Sequence, residues 1–169
     1  KHFRLRCGHN LSEIDTEITK TKGDIGTTVS FFPDFERLGM KEIDEDHKNL
    51  IEKRIYDLAV CFPKIRFKYN GRVVQASTFK QYLKKIGDHF EMLETPKFKV
   101  AVLPAETYEH ISFINGIDTF GGGVHTDIVS GDISWTLKEA IKKKHRIAVR
   151  GSDIKNHLCF VTITNSVGD

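Results

Sequence analysis

The most informative segment of this chain is Ile111-Ser-Phe-Ile-Asn-Gly-Ile-Asp-Thr-Phe-Gly-Gly-Gly-Val-His125. The apolar first half of this segment is typical of a strand, and its glycines are typical of a turn. Its last residues are typical of the beginning of a helix. Gly121, Gly122 and Gly123 can adopt backbone angles that other residues avoid. Such a turn lets a strand reverse tightly into a helix, or lets a ligand approach the main chain. The residues alone leave both interpretations open.

An amphipathic helix is predicted to follow the turn, from His125 to Lys144. Four apolar residues would form its inward side: Ile133, Leu137, Ala140 and Ile141. Its end carries a cationic cluster, which consists of Lys142, Lys143, Lys144 and Arg146. This cluster has two interpretations. It is either a solvated helix end that complements the helix dipole, or a surface that attracts the phosphates of a nucleic acid.

Upstream of this segment, apolar and polar residues alternate in a way that predicts three antiparallel strands. The strands and the turns between them cover, in order, His2–Cys7, Gly8–Asn10, Glu13–Thr21, Lys22–Asp24 and Thr27–Phe32. Pro33 would end the third strand, because proline has no N–H group to donate to a neighbouring strand.

A helix is predicted between these strands and Pro63. Asp44 is a favourable N-cap, and acidic residues follow it in the first turn, where the helix dipole favours negative charge. The apolar face of this helix would comprise Leu50, Ile51, Ile55 and Leu58.

A hairpin and a second, shorter helix are predicted next. Asn70-Gly71 between two apolar runs is a strong signal for a tight hairpin turn. Ser77 would cap the helix and Gly87 would end it. Its buried side chains would be Phe79, Tyr82, Leu83 and Ile86. Residues 88–96 are expected to be irregular.

The remaining apolar runs predict the strands of a sheet, over Phe98–Leu103, Tyr108–Ile114, Ile147–Val149 and Leu158–Ile163. Strands and helices in this order indicate an α/β fold, in the form of a two-layer α+β arrangement. We place a domain boundary near Ala76, between the hairpin and the second helix.

The composition is that of an ordinary globular protein, with 39% apolar and 29% charged residues among 169 and a net charge of +3. Three cysteines lie far apart without a CxxC pair, which predicts reduced thiols. No apolar run reaches the roughly 18 residues of a membrane span. The histidines have no metal-binding spacing, so we expect no metal site. The chain starts without Met inside a strand pattern, so we expect it to be a piece of a longer protein.

Several motifs together resemble the ATPase region of type IIA DNA topoisomerases, in particular the eukaryotic and T-even-phage branch. They are Gly26-Thr-Thr-Val-Ser-Phe-Phe-Pro-Asp34, Arg54-Ile-Tyr-Asp-Leu-Ala59, Ser112-Phe-Ile-Asn115, Gly122-Gly-Val-His125 and Ile154-Lys-Asn-His157, in the order of that family. The resemblance implies that residues 1–76 complete a GHKL-type ATPase domain. Residues 77–169 would then begin a transducer domain, a mixed sheet with helices on one face. The parent enzyme would couple ATP hydrolysis to the passage of one DNA duplex through another.

The resemblance also implies roles for particular residues. Thr27 matches a threonine that helps to hold the adenine end of ATP, and a hydroxyl can both donate and accept a hydrogen bond there. An ordinary strand residue is the other interpretation of Thr27. The residues that bind Mg²⁺ and the phosphates would lie outside this chain, so no catalytic residue is expected here and the chain alone should be inactive. Some members carry a basic residue facing the transported DNA where this chain has Phe120-Gly121.

The implied partners are double-stranded DNA, the remainder of the topoisomerase and a second copy of the subunit, without a membrane. The cationic cluster would face the DNA, and the location would be intracellular, in the nucleus or in the host cytoplasm of a virus.

Two alternatives to a topoisomerase are considered. The first is a mismatch-repair or chaperone ATPase of the same superfamily, and the second is a non-enzymatic RNA-binding module on the second-domain fold. The segments from Gly26 to Asp34 and from Ser112 to His125 argue against the first alternative.

Overall fold

The computed structural model describes residues 2–8, 13–20 and 26–165. The chain divides into two units, Lys1–Glu42 and Ile43–Asp169, and each unit is described by itself. In chain order the elements are β1 (His2–Gly8), β2 (Glu13–Thr19), α1 (Glu45–Cys61), β3 (Lys68–Tyr69), β4 (Arg72–Val73), α2 (Phe79–Ile86), β5 (Glu91–Glu94), β6 (Phe98–Pro104), β7 (Glu109–Ile114), β8 (Ile117–Asp118), α3 (Val124–His145), α4 (Gly151–Lys155) and β9 (Leu158–Thr164).

The first unit contains an antiparallel pair of strands. β1 pairs with β2 in a register that sets His2 opposite Thr19 and Gly8 opposite Glu13. Two of the three predicted upstream strands are therefore confirmed. The two turns predicted around them, Gly8–Asn10 and Lys22–Asp24, fall mostly or wholly outside the described residues.

The predicted third strand is wrong. Residues 27–32 have no strand conformation and pair with no other part of the chain that the structure describes. Their apolar side chains are exposed, with Val29 at 81%, Phe31 at 83% and Phe32 at 90%. A β-branched and aromatic run has strand character only when a neighbouring strand and a packed face are available to it. The described residues supply neither.

A mixed five-stranded sheet organises the second unit, in the order β5-β6-β9-β7-β8. β7 and β9 are parallel, whereas the other neighbouring pairs are antiparallel. The chain between the parallel strands contains α3 and α4, as a parallel connection requires a long crossover. The predicted strands over β6, β7 and β9 are confirmed, and so is the α/β fold class with its mixed sheet.

α1 begins as predicted, because the Asp44 carboxylate accepts a hydrogen bond from the His47 backbone N–H over 2.9 Å. The predicted apolar face of α1 is correct for Ile55 and Leu58, which are half-buried, but wrong for its first two residues. Leu50 and Ile51 are 65% and 46% exposed, whereas the C-terminal half of the helix enters the core. The buried residues are Asp57, Ala59, Val60 and Cys61.

α2 begins one residue later than predicted. Thr78, not Ser77, is the N-cap, and its hydroxyl accepts from the Gln81 N–H over 3.2 Å. The Gln81 side chain accepts from the Thr78 N–H in return, which completes a capping box. Of the predicted inward residues, Phe79, Tyr82 and Leu83 are buried, whereas Ile86 is exposed.

The main hydrophobic core lies between α1, α2 and one face of the sheet. The strands contribute Ala101, Leu103, Phe113, Cys159, Val161 and Ile163. Side chains alternate between the faces of a strand, so Ser112 lies on the opposite face from Phe113. Ser112 bonds to Thr119, in the turn that leads into α3. The start of α3 is thus anchored to the sheet through Ser112.

The hairpin of β3 and β4 is confirmed, with its turn residues Asn70 and Gly71 at φ values of 47° and 78°. Three short elements were not predicted: β5, over residues expected to be irregular, β8 and α4. Residues 147–149, expected to be a strand, have no regular structure. No described helix has the length and apolar character to cross a membrane. The boundary near Ala76 stays a prediction.

Candidate nucleic-acid interface

The glycine turn, Gly121–Gly123, makes a tight entry into α3. Gly122 and Gly123 have φ values of 76° and 150°, which favour glycine over residues with a side chain. The Gly123 N–H donates to the Thr126 hydroxyl over 3.0 Å, and that hydroxyl donates to the Gly123 carbonyl oxygen over 2.7 Å. This geometry agrees with the first interpretation of the turn, a tight reversal of the chain into a helix.

A network of hydroxyl groups fixes the turn to β7. The Thr119 hydroxyl donates to the Ser112 carbonyl oxygen over 3.0 Å. The Ser112 hydroxyl donates to the Thr119 carbonyl oxygen over 3.1 Å, and the two hydroxyl oxygens lie within hydrogen-bond distance of each other, at 2.6 Å. The His125 Nε2 atom lies within hydrogen-bond distance of the Thr119 hydroxyl oxygen, at 3.2 Å. The first turn of α3 is thus held to the sheet by polar contacts.

α3 has an unusual distribution of side chains. Its buried residues are small and polar: Thr126, Ser130 and Ser134. The predicted inward side is correct for Ile133 and Ile141, which are half-buried, but wrong for Leu137 and Ala140, which are exposed. Large apolar side chains face solvent instead, with Val124 at 74%, Ile128 at 56% and Trp135 at 64% exposure. Small residues against the sheet allow close packing, and apolar periodicity alone could not separate the two sides.

The structure brings the cationic cluster together at the C-terminal end of α3. Lys142, Lys143 and Lys144 lie in the last turn, and Arg146 is the C-cap with a left-handed φ of 58°. All four side chains are exposed. Within the part of the chain that the structure describes, none of them forms an ion pair with a carboxylate. Their charge is therefore open to solvent and to a polyanion.

Thr27, the predicted adenine contact, lies in the first unit, in the exposed segment that precedes Pro33. Its role as a nucleotide ligand stays a prediction. Among the described residues no group of three or more His, Cys, Asp or Glu side chains has the arrangement of a metal site.

Sequence reasoning missed the polar contacts of α1, two of which join it to later parts of the chain. The Tyr82 hydroxyl donates to the Asp57 carboxylate over 2.8 Å, and Lys53 Nζ donates to the other carboxylate oxygen over 2.8 Å. Arg54 Nη2 donates to the Gly116 carbonyl oxygen over 2.7 Å. The available signal was Asp57 itself, an acidic residue two positions before the buried run from Ala59 to Cys61.

Two thiols lie in the core. Burial raises the pKa of the Cys61 and Cys159 thiols to about 11. A thiol in this state is protonated at neutral pH and is a poor nucleophile. Burial, together with the neighbouring Asp57, likewise raises the pKa of the Tyr82 phenol above its ordinary value. These groups stabilise the fold and do not supply reactive chemistry.

Comparison with known proteins identifies the class to which this architecture corresponds. No protein-family model matches the chain. The chain is 30% identical to the DNA topoisomerase large subunit of Enterobacteria phage T4 over 158 residues, which is 93% of this chain and 30% of that protein. It is 32% identical to DNA topoisomerase 2 of Acanthamoeba polyphaga mimivirus over 181 residues, which is 98% of this chain and 14% of that protein.

The fold agrees with these relatives. The solved ATPase region of Saccharomyces cerevisiae topoisomerase II superimposes with a TM-score of 0.80 and 25% identity, over 96% of this chain and 44% of that one. The architecture is thus that of the ATPase and transducer region of type II topoisomerases. The homologues of this chain are type II DNA topoisomerases of the eukaryotic and T4-like branch, which confirms the resemblance noted in the sequence. The chain spans less than a third of the length of the relatives it matches, 30% in T4 and 14% in the mimivirus.

Proposed function

We propose that this chain is part of an ATP-hydrolysing type II DNA topoisomerase, in which it transmits the state of the nucleotide site to the DNA-handling part of the enzyme. The observation that carries this proposal is the superposition of 96% of the chain on a topoisomerase II ATPase region, with a TM-score of 0.80. No observation favours a mismatch-repair or chaperone ATPase or an RNA-binding module.

ATP and Mg²⁺ would bind mainly through residues outside this chain. From this chain Thr27 would contribute one hydrogen bond at the adenine end, as the resemblance implies. Phosphoryl transfer depends on positioning and on charge stabilisation around the phosphates. A single adenine contact supplies neither, so the 169-residue chain alone should not hydrolyse ATP.

α1 would be the element that joins the two predicted domains. It precedes the boundary near Ala76, yet Arg54 and Asp57 are bonded to Gly116 and Tyr82, which follow that boundary. A displacement of α1 would therefore be transmitted to the β7–β8 turn and to α2. This arrangement is suited to relaying nucleotide binding to the sheet, because buried polar contacts have defined partners and directions.

The cationic cluster would face a DNA duplex. Backbone contacts from lysine and arginine attract DNA without reading its sequence, and they weaken steeply as salt rises. The other partners would be the rest of the topoisomerase and a second copy of the subunit, in the compartment that holds the DNA, which is the nucleus or the cytoplasm of a viral host.

The full-length protein that contains this chain provides the test. We expect it to relax a negatively supercoiled plasmid when ATP and Mg²⁺ are present, and to be inactive without ATP. A non-hydrolysable ATP analogue should support at most a single round of strand passage. If the full-length protein hydrolysed ATP but left plasmid topology unchanged, the proposed function would be wrong.

A further inference from the structure

Trp135 lies on the outward side of α3, on the same side of the helix as Lys142 of the cationic cluster. It is the only tryptophan of the chain, and it is 64% exposed. Lys138 and Lys142 follow it by three and seven residues, so all three side chains project from the same side of the helix. The helix rise separates Trp135 from Lys142 by about 10 Å along the axis. One bound polymer could therefore contact both side chains.

The surface beside the indole is apolar and open. Ile128, seven residues earlier, is 56% exposed on the same side of α3. Gly131 lies between Ile128 and Trp135, and a side chain added at Gly131 would meet nothing within 4 Å. Large apolar side chains exposed in a row are uncommon on a monomeric soluble protein, and such a row marks an interaction surface.

The charge around this surface favours a polyanion as its occupant. From Ile128 to Arg146 the chain has five cationic side chains, Lys138, Lys142, Lys143, Lys144 and Arg146, and two carboxylates, Asp132 and Glu139. A second copy of this helix or an acidic peptide would have to match that excess of positive charge. A duplex does so with regularly spaced phosphates, and it also presents apolar sugar faces in its minor groove.

We propose that Trp135 contacts the DNA duplex that the cationic cluster attracts. The indole packs against sugars and base edges in the groove while Lys142 and its neighbours bind the flanking phosphates. This inference rests on the proposed function, because it assumes that α3 faces DNA, and it adds an apolar contact that the lysines cannot make. Apolar side chains at a minor groove favour sites that deform easily.

Tryptophan fluorescence of the wild-type 169-residue chain, excited at a wavelength that tyrosine does not absorb, provides a direct test, since every emission change then reports on Trp135. A duplex of random sequence is titrated into the chain at low salt, with a single strand of the same length as a second probe. We expect the duplex to quench the emission saturably and more strongly than the single strand does. Trp135→Ala should weaken duplex binding about tenfold, in line with the value of one aromatic contact to nucleic acid.

Two variants complete the test. Trp135→Phe keeps an aromatic ring and should retain most of the affinity. Ile65→Ala removes another apolar side chain of similar exposure, 55%, far along the chain from α3, and should bind duplex as the wild type does. All affinities are measured by fluorescence anisotropy of labelled DNA, which does not depend on the tryptophan.

The outcomes separate the inference from the function on which it rests. If the wild type binds duplex and loses binding when the lysines are replaced, but Trp135→Ala binds equally well and the emission is unchanged, the inference is overturned and the cluster's role stands. If the wild type binds no duplex, the inference and the proposed role of the cationic cluster are both overturned. A blue shift of the emission that depends on protein concentration and not on DNA also overturns the inference, because the indole is then covered by a second copy.

Discussion

The Tyr82 hydroxyl donates a hydrogen bond to the Asp57 carboxylate over 2.8 Å, in the buried contact between α2 and α1. Asp57 and Tyr82 are only 1% and 5% exposed. Lys53 binds the second carboxylate oxygen, so both oxygens of a buried charge have partners. A buried carboxylate persists in a core only when it is paired in this way. The pair ties the last helix of one predicted domain to the first helix of the next.

Replacing Tyr82 with phenylalanine should destabilise the chain by about 1–3 kcal/mol, because one oxygen of the buried Asp57 carboxylate loses its donor. The free energy of unfolding is measured by urea denaturation monitored by circular dichroism. Tyr69→Phe is a matched control, since Tyr69 is only half-buried and lies in the β3–β4 hairpin. Equal unfolding midpoints for the two variants would show that the Tyr82–Asp57 bond contributes nothing.

The buried thiols predict how stability depends on alkaline pH. The pKa of Cys61 and of Cys159 is about 11 in the folded chain and 9.0 for an unperturbed thiol. Between these values the unfolded state has lost protons that the folded state retains. The thiol contribution to the unfolding free energy is therefore full below pH 9.0, falls as pH rises, and is gone above about 11.

Over this pH range the unfolding free energy of the double variant Cys61→Ala, Cys159→Ala should decrease less than that of the wild type. The difference should be on the order of 2 kcal/mol for each thiol. Tyr82 ionises in the unfolded state from about pH 10 in both proteins, so the difference between the two curves isolates the thiols. Parallel curves of unfolding free energy against pH for wild type and variant would contradict this explanation.

Gly116→Ala should be more destabilising than an ordinary glycine replacement. Gly116 has a φ of 77°, and an added side chain would overlap the ring of Phe62. Gly71 has nearly the same φ, 78°, but open space around it, so Gly71→Ala reports the backbone cost alone, about 1–2 kcal/mol. We expect Gly116→Ala to unfold at a clearly lower urea concentration than Gly71→Ala. Similar midpoints would mean that Phe62 moves aside without cost.

Thr27→Val tests the predicted adenine contact in the full-length enzyme. The substitution keeps the shape of the side chain and removes its hydroxyl. ATP affinity, measured by isothermal titration calorimetry, should fall by about 1 kcal/mol, the usual value of one hydrogen bond. Thr28→Val is the neighbouring control, and it should leave affinity unchanged. Unchanged affinity in Thr27→Val, with the fold intact, would leave Thr27 as an ordinary residue of this segment.

The elements that the sequence predicted well carry local signals. Asp44 caps α1 through its own carboxylate, and Asn70-Gly71 adopts the positive φ values that a tight hairpin needs. Such features depend on residues within a few positions of one another. The Ser77 cap was displaced by one residue because both Ser77 and Thr78 can cap, and the Gln81 side chain completes a capping box only with Thr78.

The failures arise where distant residues determine the outcome. Residues 27–32 have strand propensity without a neighbouring strand among the described residues. The fully buried side chains of α3 are Thr126, Ser130 and Ser134, because contact with the sheet favours small side chains there. No periodicity argument selects polar residues as a buried side. The Arg54–Gly116 contact spans 62 residues of sequence and has no local signal.

The central claim is that this chain links ATP turnover to DNA through the cationic cluster of α3. The most direct measurement is the DNA-stimulated ATPase rate of the full-length enzyme in which Lys142, Lys143, Lys144 and Arg146 are replaced by glutamine. We expect the DNA-independent rate to be unchanged, the stimulation by duplex to fall, and its dependence on salt to become flatter. A variant that melts slightly earlier but is stimulated by DNA like the wild type at every salt concentration would contradict the account, because the cluster would then only complement the helix dipole.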